Sequence, residues 1–193
     1  MTENHHHNCH CGGHNHDHHH ANHHSCGCGG HHTEEINPDL GSEISLQGEL
    51  DASIIEVWNY LTNNNSLAEW NGQIEMLDFR PGGQMKVDFD GESRQVLITD
   101  IEEYHLLSFL WGSDDVAFTF ERSEGDKTSF NIDYWMADET NPDANSIVNW
   151  LLIMYQLEHY LENDEQLDCS SVKPGLMENI EKVISEGIDH NFE

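Results

Sequence analysis

The side chains with the greatest capacity for chemistry are concentrated near the N-terminus. Residues 5–32 hold thirteen of the 16 histidines and four of the 5 cysteines. They also contain a repeat, because the unit CHCGGH that begins at Cys9 returns seventeen residues later as CGCGGH at Cys26. A purification tag is an uninterrupted histidine run followed by a linker, whereas these histidines are separated by Asn, Asp and Gly. The duplicated unit therefore favours a native segment over an engineering remnant.

These residue types predict binding of a transition metal. Thiolates and neutral imidazoles are ligands for zinc, copper(I) and nickel. Four thiolates could close one tetrahedral site across a loop, but the CxC spacing strains chelation around a single ion and suits copper(I) or a multinuclear cluster as well. We expect zinc first, with nickel or copper as alternatives. The predicted metal ligands are Cys9, His10, Cys11, His14, Cys26, Cys28, His31 and His32.

The number of histidines exceeds what one site needs, which favours several exchangeable sites of graded affinity in a metal buffer or sensor. Residues 1–35 offer almost no apolar side chains for burial, so we expect this tail to be disordered without a ligand. The alternative is a low-complexity extension that would bind a nickel resin without any role for metal in the cell.

The charge of the chain limits its partners. Lys and Arg total 7 against 37 Asp and Glu, a formal net charge of -30. Such a field repels nucleic acids and anionic membranes and concentrates cations. The predicted partners are therefore metal ions, with no nucleic acid and no membrane. A simpler role for the same charge is solubility.

Compartment and redox state follow from the absence of targeting patterns. The chain begins without a basic start and an apolar run, and no segment approaches the roughly 20 apolar residues of a membrane span. We therefore expect a cytoplasmic protein. Thiols stay reduced in that compartment, which favours metal ligation over disulfides for the clustered cysteines.

A different pattern begins at Glu43. EISLQGEL predicts a strand, and DASIIEVWNYLT predicts a helix with Asp51 or Ser53 as N-cap and Glu56 at capping-box spacing from Ser53. A hairpin around residues 81–83 and four further strands follow. The last two strands place apolar side chains on one face by alternation, namely Val116, Phe118 and Phe120 opposite Phe130, Ile132, Tyr134 and Met136.

Residues 143–163 predict a helix of about twenty residues that is apolar around most of its circumference and must be largely buried. Strand, helix, a run of antiparallel strands and one long helix define an α+β class. We expect a curved antiparallel sheet wrapped around the long C-terminal helix.

The segments ASIIEVWNYLTNNNSLAEW, LDFRPGGQMKVDFDG, EGDKTSFNIDY and NWLLIMYQLEHYLE carry a family resemblance in their order and spacing. Residues 43–163 resemble the activator of Hsp90 ATPase homologue family, within the SRPBCC superfamily of START-like and Bet v 1-like helix-grip folds. Two departures stand out: Glu103-Tyr104 replaces a common proline, and Asn149 precedes Trp150 where glycine is usual.

The resemblance implies a hydrophobic cavity between sheet and long helix that binds apolar ligands. The alternative is that the same side chains form a plain core. By alternation, the expected cavity walls are Met85, Val87, Phe89, Phe109, Trp111, Phe118, Tyr134, Leu151, Met154 and Tyr155.

Residues 164–193 predict an extension with an amphipathic helix after Pro174-Gly175. Its apolar stripe comprises Leu176, Ile180, Val183, Ile184 and Ile188. We expect this helix to pack on the sheet or the first helix of its own domain. The alternative is a helix that binds a partner.

Catalysis would need a placed nucleophile or a matched acid and base. Outside the tail the sequence offers only His105, His159 and His190, and Cys169 has no evident histidine partner. No metalloprotease, phosphate-loop or hydrolase motif occurs. We therefore expect a protein that is not an enzyme.

Three functions remain open. The leading hypothesis is a binding or chaperone-like SRPBCC domain with a metal-binding arm. The second is a carrier or sensor of an apolar small molecule, with the tail incidental. The third, supported only by the family, is a co-chaperone that stimulates an Hsp90-type ATPase.

Overall fold

The computed structural model describes residues 42–138 and 142–189. The predicted metal ligands between Cys9 and His32, and His190, lie outside the described residues. The strands are β1 Ser42–Leu50, β2 Ile74–Asp78, β3 Gln84–Phe89, β4 Glu92–Glu102, β5 Leu106–Trp111, β6 Asp114–Arg122 and β7 Thr128–Met136. The helices are α1 Ile54–Thr62, α2 Asn64–Trp70, α3 Ala144–Asn163 and α4 Cys169–Asp189.

The seven strands form one antiparallel sheet in the order β1-β7-β6-β5-β4-β3-β2. The predicted alternation across the last two strands is confirmed, because Phe118 lies opposite Ile132 and Val116 opposite Tyr134. These side chains are buried. One face of the sheet therefore supplies the core, and the predicted α+β helix-grip class is confirmed.

Helix α1 begins where the sequence predicts. Ser53 is its N-cap and accepts a hydrogen bond from the Glu56 backbone N–H at 3.4 Å, which supplies one of the donors left unpaired at a helix start. Helix α2 runs from Asn64 to Trp70. Asn63 both ends α1 and caps α2, so the two helices follow each other directly.

Helix α3 packs its apolar residues against the inner face of the sheet. Trp150, Ile153, Met154 and Leu157 are almost fully buried. Leu151 and Tyr155, which lie one turn apart, form a more exposed stripe, in which Leu151 is half-buried and Tyr155 is 39% exposed. The expectation that Tyr155 lines an interior cavity is therefore wrong, because α3 turns this stripe toward solvent.

Helix α4 packs on α3, and the expectation that it lies on the sheet or on α1 is wrong. It begins at Cys169, before the predicted start, and contains Pro174 in its interior. Val172, Leu176, Met177, Ile180 and Ile184 pack against the core, whereas Val183 is exposed. A second apolar face of α3 is thus covered by α4, which explains why α3 is apolar around most of its circumference. No helix in the described parts of the chain is long and apolar enough to cross a bilayer.

Candidate functional site

The predicted cavity walls lie on strands β3, β5, β6 and β7 and on helix α3, and they do not surround one large cavity. Most of them are buried, and Leu151 is half-buried. Met85, Phe109 and Phe118 line a small apolar cavity, Phe89 and Trp111 line a separate polar pocket, and Val87, Tyr134 and Met154 are core residues outside both. The interior cavity also includes residues that the alternation did not select, namely Leu61, Ile74, Met76, Leu107, Phe120, Trp150 and Ile153.

The interior cavity is small. Its volume is about 20 Å³, which is the scale of a single water molecule. Its walls are almost entirely apolar. In this conformation the space between sheet and α3 is filled by side chains, so a larger ligand would require those side chains to move.

Trp150 is the exception to this apolar packing. It is 1% exposed, and its indole N–H finds no acceptor within the described segments. Its ring lies 4.5 Å from Phe109, 4.9 Å from Phe89 and 5.3 Å from Trp111, centroid to centroid. A buried donor without an acceptor costs about 1–3 kcal/mol of stability.

The polar pocket lies beside this aromatic cluster and has a volume of about 200 Å³. Strands β3 to β5 and the start of α3 supply its walls, which are Phe89, Asp90, Glu92, Arg94, Trp111, Asp143, Asn145, Ser146 and Asn149. Because Phe89 and Trp111 line this pocket and also contact Trp150, the aromatic cluster separates the pocket from the interior cavity.

Asp90 is the centre of the hydrogen bonds at this pocket. Asp90 and Gly91 form the two-residue turn between β3 and β4, with φ values of 52° and 82°, as a hairpin turn of this length requires. The Asp90 carboxylate accepts hydrogen bonds from Asn145 Nδ2 at 2.9 Å and Asn149 Nδ2 at 3.0 Å. Lys173 of α4 donates to both carboxylate oxygens at 2.8 and 3.0 Å. One turn residue therefore connects the sheet, α3 and α4.

These donors determine the charge state of Asp90. The hydrogen bond from the Lys173 ammonium, followed by those from Asn145 and Asn149, lowers the pKa of Asp90 to about 2. The carboxylate is consequently anionic at neutral pH. It forms a stable anchor for three donors from two helices.

The other polar groups of the pocket are also paired. Trp111 donates its indole N–H to Ser146 Oγ at 2.7 Å, and Ser146 donates to Asp143 at 2.5 Å. Arg94 bonds Glu92 at 3.0 Å and lies 5.0 Å above the Trp111 ring, a distance at which a cation and an aromatic face attract. The pocket thus presents carboxylates, amides and an aromatic floor.

Tyr134 lies close to this end of the sheet and donates to Asp114 at 2.8 Å. Burial of the ring, followed by the nearby Asp114 carboxylate, raises the pKa of Tyr134 well above its usual range. The hydroxyl stays protonated at neutral pH. It acts as a hydrogen-bond donor that fixes the β6–β7 pairing near Asp114.

The histidines considered for catalysis lie apart from the pocket. His105, in the turn before β5, pairs its Nδ1 with the Phe120 carbonyl at 3.0 Å. His159, near the end of α3, is hydrogen-bonded to Asn163. Cys169 accepts a hydrogen bond from Gln156 at 2.9 Å, and burial raises its thiol pKa. Residues 42–138 and 142–189 contain no group of three or more His, Cys, Asp or Glu side chains placed to hold a metal ion.

The connections made by Asp90 are not predicted by the sequence patterns. The dipeptide Asp90-Gly91 between two alternating strands is a strong hairpin signal. Asn145 and Asn149 are four residues apart and so share one helix face. Neither signal identifies the partner, because the carboxylate and the amides meet only after the sheet has folded against α3.

Comparison with known proteins identifies the family of the folded domain. Residues 51–162 match the family described as "Activator of Hsp90 ATPase homolog 1-like protein". A conserved protein of unknown function from Enterococcus faecalis superposes with a TM-score of 0.66 at 16% identity, covering 77% of this chain and 87% of that chain. CalU16 from Micromonospora echinospora superposes with a TM-score of 0.60 at 19% identity, covering 75% of this chain and 89% of that chain.

The Aha1 dimer from Colwellia psychrerythraea gives a TM-score of 0.54 at 18% identity, covering 63% of this chain and 97% of that chain. No curated protein sequence matches the chain. At these identities the structural likenesses establish the fold, and the family match covers more than half of the sequence.

Proposed function

The chain belongs to the family of activator of Hsp90 ATPase homolog 1-like proteins, and on that premise we propose that it is a non-enzymatic binding protein with a metal-binding arm. The arm is residues 1–35, and it serves as a cytoplasmic buffer or sensor of a transition metal. The observation that carries this proposal is the repeated CxCGGH unit at Cys9 and Cys26. Its thiols and imidazoles are the strongest set of metal ligands in the sequence.

Two features support the proposal. The helix-grip domain of residues 43–163 is closely packed and has an interior cavity of only about 20 Å³, which suits a scaffold better than a large carrier. The net charge of -30 raises the local concentration of cations.

A competition titration tests the metal site. The reduced, untagged full-length protein is titrated with zinc, copper(I) and nickel against a chromophoric chelator. The test variant replaces Cys9, Cys11, Cys26 and Cys28 with serine. Cys169→Ser is the matched control because it removes the remaining thiol, which lies in α4.

We expect the fourfold variant to lose its tightest zinc or copper(I) sites and the Cys169→Ser protein to keep them. Weak histidine sites remain in both proteins. Equal binding by the wild-type and fourfold-variant proteins would refute the proposal.

A second candidate is a carrier or sensor of a small molecule, and the unpartnered N–H of Trp150 favours it. A ligand with one carbonyl acceptor could satisfy this donor if the Phe89 and Trp111 rings moved aside. Acetophenone and ethylbenzene are suitable probes because only the first has an acceptor. Thermal stabilisation by acetophenone alone, abolished in Trp150→Phe, would support this function; stabilisation by neither probe would count against it.

The third candidate is a co-chaperone, supported by the family description and by the Aha1 fold of the Colwellia protein. Measurement of the ATP hydrolysis rate of an Hsp90-type ATPase, with and without this protein, decides it. An unchanged rate at saturating protein would rule this function out.

A further inference from the structure

The polar pocket beside the aromatic cluster carries more negative than positive groups. Its carboxylates are Asp90, Glu92 and Asp143. Two cations stand against them, because Arg94 lines the pocket and Lys173 is bonded to Asp90. Three carboxylates and two cations leave one net negative formal charge, within a chain whose formal net charge is -30. The field at the pocket therefore attracts cationic ligands and repels anions.

The size of the pocket and the spread of its carboxylates favour an organic cation over a bare metal ion. In the described segments no three His, Cys, Asp or Glu side chains come together in a group that could hold a metal ion. The pocket volume is about 200 Å³, which corresponds to roughly seven water molecules of the liquid. This space suits a small molecule of several non-hydrogen atoms.

A cation of the protein itself lies against the aromatic wall of the pocket. The guanidinium carbon of Arg94 is 5.0 Å from the centroid of the Trp111 ring, within the range of cation–π attraction. The orientation of this ring is fixed, because its indole N–H donates to Ser146 Oγ at 2.7 Å. Trp111 therefore presents a preorganised ring face that accommodates a guanidinium group.

Arg94 is held over this ring by weak interactions. Its side chain is 52% exposed, and it forms an ion pair at 3.0 Å with Glu92, which is 72% exposed. Exposed ion pairs contribute little to stability, because water competes for both charges. A guanidinium on a small molecule can therefore displace Arg94 at little cost. Glu92 is then free to accept hydrogen bonds from that ligand.

Asn149 supplies an acceptor that the protein leaves unused. The residue is 7% exposed, and its Nδ2 donates to Asp90 at 3.0 Å. No donor from residues 42–138 or 142–189 reaches its Oδ1 atom. Because Asn149 lines the pocket, this oxygen is available to a donor there. Polar groups of buried side chains are normally paired, so the free oxygen favours a ligand with N–H donors, such as a guanidinium.

We propose that the polar pocket binds a small organic cation that carries a guanidinium group. The guanidinium takes the place of Arg94 over the Trp111 ring, and the Asn149 carbonyl and the Glu92 carboxylate accept its hydrogen bonds. Arg94 is then a built-in competitor that lowers the affinity of the site. The site uses no residue of the metal-binding arm and none that lines the interior cavity, so it can fail independently of the functions proposed above.

The test compares n-butylguanidinium with n-butylurea, which has nearly the same shape and carries no charge. Each compound is added to the reduced, untagged full-length protein in excess EDTA, at an ionic strength of about 0.15 M to screen exposed charges. NMR follows the indole N–H signals of the 5 tryptophans, and the Trp111→Phe spectrum identifies the Trp111 signal. We expect butylguanidinium to shift this signal saturably and butylurea to leave it unchanged at the same concentrations.

Removing the competing cation should strengthen binding. Arg94→Ala changes an exposed side chain, so the fold should be retained. It should lower the dissociation constant of butylguanidinium by at least about fivefold, because no side chain then has to leave the ring face. Arg122→Ala is the matched control, since Arg122 is exposed on β6 and does not line the pocket. It changes the net charge equally and should leave the affinity unchanged.

Removing a carboxylate of the pocket should weaken binding. Glu92→Gln should raise the dissociation constant of butylguanidinium by at least about threefold, because it removes a charged acceptor of the guanidinium. Glu181→Gln is its matched control, since Glu181 is exposed on α4 and does not line the pocket. The control removes the same charge and should leave the affinity unchanged.

A saturable shift of the Trp111 signal supports the proposal when both pocket variants change the affinity in these directions and both controls leave it unchanged. Equal shifts by butylguanidinium and butylurea would overturn it, because the positive charge would then play no part. An affinity in Arg94→Ala that equals or falls below that of the wild type would overturn it as well. So would the absence of any shift of the Trp111 signal in the Arg94→Ala protein.

Discussion

Replacing Asp90 with asparagine tests the connection between the sheet and the two C-terminal helices. Asparagine keeps the shape of the side chain and tolerates the φ of 52° at this turn. It removes the negative charge that receives the Lys173 ammonium and the Asn145 and Asn149 amides. The variant therefore isolates the electrostatic contribution of the carboxylate.

The magnitude follows from the pKa and the exposure of Asp90. A fall in pKa from 3.8 to about 2 would correspond to roughly 2.5 kcal/mol for a fully shielded group. The side chain is 53% exposed, so water and salt reduce the contribution to about 1 kcal/mol. We expect Asp90→Asn to lower the free energy of unfolding at pH 7 by about 1 kcal/mol.

The pH dependence has a definite sign. Because the pKa of Asp90 is lower in the folded protein, its contribution is fully present above pH 4 and is lost as pH falls toward about 2. Urea unfolding of the wild type and Asp90→Asn at pH 7, 5, 4 and 3 measures it. The difference between the two proteins should be constant from pH 7 to 5 and should shrink below pH 4.

Two further variants serve as controls. Lys173→Met should lower the free energy of unfolding by most of the amount expected for Asp90→Asn. The double variant Asp90→Asn/Lys173→Met should lose less stability than the sum of the two single variants, because the two groups share one interaction. Glu92→Gln, which alters only the exposed pair with Arg94, should change stability by less than about 0.5 kcal/mol. No difference between wild type and Asp90→Asn at pH 7, or a difference that grows as the pH falls, would show that the Asp90 carboxylate does not stabilise the fold through these donors.

Two other predictions concern the core. Gly48→Ala should destabilise the protein by about 1–3 kcal/mol, because a Cβ there would lie 2.4 Å from Phe130 Cζ; a stability equal to wild type in urea would contradict this. Trp111→Phe should cost about 1–2 kcal/mol more than Trp150→Phe, because the first breaks a buried hydrogen bond to Ser146 and the second removes an unpartnered donor. Equal losses in urea unfolding would show that the Trp150 N–H is satisfied in solution.

The core of the sheet was predictable because alternation is a local property. Strands β3, β5 and β6 show it along most of their length, and the register places Val116 opposite Tyr134 as the sequence indicates. The position of Tyr155 was not predictable in the same way. Helix α3 is apolar around most of its surface, so the exposed stripe depends on where the sheet and α4 lie.

The Asp90 cluster could not be predicted for a related reason. It joins residues that are 55, 59 and 83 positions apart. The turn itself was readable from its Asp-Gly pair, but the donors come from two helices whose placement is a tertiary property. The same holds for Trp58, whose neighbours Phe79 and Tyr104 come from separate turns.

The most direct test of the metal proposal is the metal content of the untagged protein isolated from its native source under reducing conditions. Mass spectrometry of the digested sample gives the ratio of zinc, copper and nickel to protein. We expect at least about one transition-metal ion per chain, released by a strong chelator. A protein that emerges free of these metals, and that then fails to compete with the chelator in the titration, would contradict it.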